Sequence, residues 1–166
     1  MERLVAGDNP FLRVENINFP PLKIMYIPVT LPYEEMRDTK FLFMKLGIYA
    51  FTRRGKATGD VFIRYVGETQ DTVDMEICFG VEAFLPETKE IKAKELEAVS
   101  GRYAVATYQG DRVYVPQVYM QMKEWFVGQG LQRSGGAMIE YLVNDPRKTP
   151  KQELLTDLYW PIIEEE

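Results

Sequence analysis

Glu140 is the residue whose setting most directly suggests chemistry. It lies in Met138-Ile139-Glu140-Tyr141-Leu142, a run that reads as a strand apolar on both faces apart from this acid, with Met138 and Leu142 beside it on its own face. A carboxylate on such a surface loses hydration, and it either takes up a proton or seeks a cation. Apolar walls around one such group describe a pocket for a small organic molecule. The same residue read as a strand-edge Glu would simply reach water or a neighbouring Lys. Tyr108, Trp125 and Tyr159 are the aromatic candidates beside it, because flat rings with a polar edge stack planar ligands and hold cations on the ring face. Trp125 also fits a helix's apolar stripe, as core. Met120 and Met122 read as adaptable filler, and Cys78, between Ile77 and Phe79, as an inert buried thiol.

The 166 residues contain no histidine and a single cysteine. That excludes an internal disulfide, a multi-cysteine zinc cluster and any Ser-His-Asp or Cys-His mechanism, so catalysis within the chain would rest on carboxylates, tyrosines, lysines or bound water. No cofactor is called for. With 20 basic and 25 acidic residues the net charge is -5, and no Lys/Arg run occurs, so no nucleic-acid partner is expected. The start, MERLVAGDNPFL, has no leader pattern, and apolar stretches such as FLFMKLGIYAF are too short to span a bilayer. A cytoplasmic protein with no membrane partner is the expectation.

The elements that must position these residues fall into one α+β domain, 1–166, made of two strand-helix-strand-strand units with antiparallel sheets. Residues 1–21 read as an extended lead-in. In unit one, 22–81, KIMYIPVTL is a strand that Pro28 assigns to an edge or bulge. A helix follows from Pro32, with the acids of PYEEMRD in its first turn and Phe41, Met44, Ile48 and Phe51 at helical spacing, and Arg53-Arg54-Gly55 ends it. DVFIRYV and TVDMEICFGV complete the unit as a hairpin. Residues 82–101 form a charged connector with a short strand. In unit two, 102–163, a strand in GRYAVATYQG leads to a helix with the stripe Val115, Val118, Met122 and Trp125, closed by GQG. AMIEYLV and ELLTDLYWPI are the last strands.

The two halves align at a shift of about 76 or 77 residues, which reads as a duplication. On that alignment Arg64 occupies the position of Glu140. It would then face the same cleft, either pairing with Glu140 or offering a recognition point for an anionic ligand.

The second half carries recognisable residues. Glu140 stands six positions before Pro146 of Asn144-Asp145-Pro146, a Trp-bearing helix precedes it, and Leu155-Thr156-Asp157 to Pro161-Ile162 closes the chain. Over 102–163 these resemble the GyrI-like small-molecule-binding family, the effector-binding domain of AraC-type and multidrug-responsive regulators. The chain departs from it at Leu142, where the family often has Tyr, and at Asp157, where it has Glu. The resemblance implies a stand-alone ligand-binding domain without a helix-turn-helix, with two units side by side, helices on one face and a ligand cleft on the other. It implies a protein that binds a hydrophobic, often cationic, organic molecule around Glu140, Tyr108, Trp125, Tyr159 and Arg64. Two alternatives stand beside this reading. One is a hydrolase of strained or electrophilic small molecules, with Glu140 as its general acid or base. The other is a protein-interaction module like the relatives that act on gyrase.

Overall fold

The computed structural model describes residues 10–32, 35, 39–145 and 148–163. Its elements are β1 (Phe11–Phe19), β2 (Leu22–Pro32), α1 (Lys40–Thr52), β3 (Ala57–Glu68), β4 (Thr72–Val81), β5 (Lys92–Leu96), β6 (Val99–Gln109), α2 (Val115–Gly128), β7 (Met138–Leu142) and β8 (Leu155–Pro161). The pairings β2–β4, β2–β5, β3–β4, β6–β8 and β7–β8 are antiparallel, which makes this an α+β protein with antiparallel sheet structure. The chain divides into two units, 18–99 and 100–166 with 1–17.

In the first unit the strand order is β3-β4-β2-β5. The apolar sides of β2, β3 and β4 present Met25, Ile27, Ile63, Met75 and Ile77, and α1 seats Leu46 and Tyr49 on them. The interior of this unit lies between that helix and those strands, where burial of each such side chain contributes about 1.5–3 kcal/mol. Pro28 is compatible with a central strand for a local reason. β5 pairs with β2 only from Leu22 to Tyr26, so the missing N–H of Pro28 falls beyond its reach, while β4 continues opposite through Glu76.

Helix α1 departs from the sequence reading in two ways. Pro32 closes β2 and the helix begins at Lys40, with no acid in its first turn. Of PYEEMRD, Tyr33, Glu34 and 36–38 lie outside the described residues. Phe41, Met44, Ile48 and Phe51 face away from the sheet, and Leu46, Tyr49 and Ala50 are the buried face. The helix ends through Arg54, which takes the left-handed conformation at φ 56, and Gly55 donates its N–H to the Ala50 carbonyl at 2.8 Å.

In the second unit the order is β1-β6-β8-β7, so Phe11–Phe19 of the lead-in is a strand beside β6. Helix α2 buries Val115, Val118, Met122 and Phe126. Trp125, taken as a stripe residue, is only half-buried, because the buried row continues to the next position. In both units the strand before the helix lies between the last strand and an outer one.

Candidate functional site

Cross-strand register shows which side chains share a face. In the second unit Ala106, Leu158 and Glu140 form one row, flanked by Tyr108, Thr156 and Leu142 on one side and by Ala104 and Trp160 on the other. Helix α2 covers this face: Phe126 and Tyr119 stack on the Trp160 indole with centroids at 4.8 and 5.3 Å. Glu140 therefore stands on the helix side of its strands, where the expectation had the cleft on the side away from the helices. It is 2% exposed, flanked by buried Met138 and Leu142 as the strand pattern implied.

A cation meets it. Arg112 donates from Nε to Glu140 Oε2 at 3.2 Å, and its Nη2 donates to the same oxygen. The turn after β6 positions this guanidinium. Gly110 has φ 149 and donates its N–H to the Leu154 carbonyl at 2.8 Å. Asp111 then caps the short 3-10 turn Arg112–Tyr114 by accepting the Val113 N–H at 3.0 Å. A carboxylate taken out of water is tolerated only with such a partner. The sequence reading did not identify Arg112. Its signal was a lone Arg between a Gly turn and the helix, one turn from the acid's face.

Tyr108 is buried on the same face. Its hydroxyl, the Thr156 hydroxyl and the Trp160 indole N–H are buried without a hydrogen-bond partner among the described residues. Burial, with the nearby Asp111 adding to it, pushes the Tyr108 hydroxyl up to about 12. The face thus combines one ion-paired acid, three unsatisfied polar atoms and a stacked aromatic group. Trp160, Tyr119 and Phe126 were absent from the sequence-based candidates. In the structure the alternation of buried and half-buried residues along Leu155–Pro161 separates Trp160 from Tyr159.

Tyr159 points to the opposite face. Its hydroxyl donates to Asp157 Oδ2 at 3.2 Å, and Thr107 donates to Asp157 Oδ1 at 2.6 Å. Burial and Asp157 push this tyrosine up to about 12 as well. Arg64 belongs to another constellation, on the face of the first unit away from α1. There it donates to Glu76 Oε1, while Lys94 reaches Glu76 Oε2 at 2.6 Å. Register also corrects the Arg64–Glu140 equivalence. Within their own units the two lie on different faces: Tyr65, next to Arg64, shares a row with Met75 and Val29 on the α1 side, as Glu140 shares one with Leu158 and Ala106 on the α2 side, whereas Arg64 faces away from α1. Cys78 is fully buried and its thiol is raised far above the usual range, chiefly by desolvation. Pro146 lies outside the described residues. Among the described residues no three His, Cys, Asp or Glu side chains converge as a metal site, and no helix is long and apolar enough to cross a membrane.

The GyrI-like small molecule binding domain matches residues 13–163. The chain belongs to this family. Several solved structures share the fold at low identity. The EcmrR C-terminal domain superposes with a TM-score of 0.70 at 14% identity, over 93% of this chain and 99% of that one. SAV2435 bound to tetraphenylphosphonium gives 0.64 at 12% identity, over 91% and 94%. A hydrolase from Listeria innocua gives 0.51 at 11% identity, over 91% and 92%. Of the EcmrR chain in its DNA complex, this chain spans 57%. No curated protein matches it.

Proposed function

We propose that this GyrI-like chain captures a hydrophobic organic molecule on the helix side of the second unit's strands, with Glu140 as the polar anchor and Arg112 as its counter-ion when no cationic ligand is bound. The observation that carries the reading is the ion pair of buried Glu140 with part-buried Arg112 on a face of apolar and aromatic side chains, beside the unsatisfied Tyr108 hydroxyl. A lipophilic cation would take over Glu140 as Arg112 turns to water, so its affinity is the difference between two ion pairs. Tyr108 and the aromatic group at Trp160 would supply the walls. Trp125, half-buried on α2, would serve at the margin. Tyr159 and Arg64, on other faces, would not touch this ligand. The tetraphenylphosphonium bound to SAV2435 supports the ligand class. The shared element order of the two units supports a duplicated origin.

The test is calorimetry with tetraphenylphosphonium and a neutral triaryl analogue. Glu140→Gln should weaken the cation by about 1–3 kcal/mol and leave the neutral compound nearly unchanged. Equal losses for both compounds, or none, would remove Glu140 from the site. Product formation from reactive esters or epoxides that disappears in Glu140→Gln would replace binding by hydrolysis as the function.

A further inference from the structure

Helix α1 is apolar on both sides. Leu46, Tyr49 and Ala50 face the sheet, and directly opposite them Phe41, Met44, Ile48 and Phe51 are 66%, 54%, 60% and 84% exposed. Single exposed apolar residues are ordinary, whereas four aligned along one helix make a continuous apolar stripe. Their spacing of three, four and three residues is that of a and d positions over two heptads, a narrow seam suited to a partner helix. A helix lying in a lipid interface needs a wider apolar face. Lys40 and Lys45 occupy the g and e positions bordering the seam, and Arg53 and Arg54 stand at its end; Lys45 also contacts Glu90 at 3.0 Å. From Thr39 to Gly59 there are five basic residues and no acidic one, in a chain whose net charge is -5.

From this charge and spacing we infer that the outer face of α1 docks an amphipathic helix of another protein, with apolar a and d residues and acidic e and g residues. A second copy of α1 would set Lys and Arg against Lys and Arg, which disfavours self-pairing. The surface is separate from Glu140 and does not depend on the ligand reading.

The probe is a fluorescent synthetic helix of about three heptads with Ile at a, Leu at d and Glu at e and g, long enough to be helical. A control peptide carries Lys at e and g. Anisotropy with the full chain should show saturable binding of the Glu peptide and none of the Lys peptide. Met44→Ser/Ile48→Ser, made at exposed positions and checked for an unchanged melting curve, should weaken the Glu peptide at least tenfold. Lys40→Glu/Arg54→Glu should weaken it and reduce its salt dependence. Failure of the Glu peptide to bind, or equal binding by Met44→Ser/Ile48→Ser, would overturn the inference. So would a dimer in sedimentation that Met44→Ser/Ile48→Ser makes monomeric, or tight binding to phosphatidylserine vesicles in place of the peptide.

Discussion

The Arg112–Glu140 pair makes an asymmetric prediction. Glu140 is 2% exposed at its side chain and Arg112 19%, so the two partners differ in how easily each regains water once the other is gone. Arg112→Ala strands a buried carboxylate and should cost about 3–5 kcal/mol. At about 2–4 °C per kcal/mol for a domain of this size, the melting temperature should fall by roughly 6–20 °C. Glu140→Gln leaves a guanidinium that can turn outward, and should cost about 1–3 kcal/mol. The double variant buries no charge, so Glu140→Gln should rescue Arg112→Ala, with a coupling above about 1 kcal/mol in the cycle. Urea denaturation of the four proteins measures this directly. Tetraphenylphosphonium adds a second reading: it should raise the melting temperature of Arg112→Ala more than that of the unaltered chain, because the cation replaces the missing counter-ion. Additive single effects, or an Arg112→Ala protein as stable as the parent, would refute the argument that burial makes this pair indispensable.

Tyr108→Phe removes a buried hydroxyl that has no partner among the described residues, so urea denaturation should find the chain as stable as before, or more stable by about 1 kcal/mol. The Tyr108 and Tyr159 hydroxyls, pushed up to about 12 from 10.0, remain protonated in the fold after the unfolded chain has ionised. Their contribution to stability is therefore complete below pH 10 and is lost as pH rises toward 12, which the denaturation midpoint across that window will show; Tyr108→Phe should flatten the decline. At Gly110 an added Cβ would lie 2.5 Å from the Tyr108 hydroxyl on a backbone with φ 149, so Gly110→Ala should lower the melting temperature and change near-ultraviolet tyrosine dichroism. With a net charge of -5, affinity for DNA should be weak and disappear at physiological salt in an anisotropy titration.

The sequence was legible where local pattern and burial agree, and misleading where a pattern has two sides. Glu140 stands out because an acid within an apolar strand has few structural explanations, and the structure buries it at 2% exposure. Its partner does not, because an ion pair between a turn and a strand 28 residues apart leaves no periodic trace. Strand-forming runs locate β2, β4 and β6, but such a run does not say which face a helix covers, so Tyr159 was grouped with Glu140 in place of Trp160. The Arg64 error has the same root. With a side-chain period of two, an alignment that slips by one residue keeps every strand and exchanges every face, and only the hydrogen-bonded rows through Met75 and Leu158 fix the phase. Helix α1 is the converse case. Its sequence carries two apolar stripes, Phe41-Met44-Ile48-Phe51 and Leu42-Leu46-Tyr49-Ala50, and periodicity alone cannot choose between them. Lys45 borders both stripes and does not choose either; the packing against the strands does, seating Leu46, Tyr49 and Ala50 on the apolar sides of β2, β3 and β4 and leaving Phe41, Met44, Ile48 and Phe51 exposed.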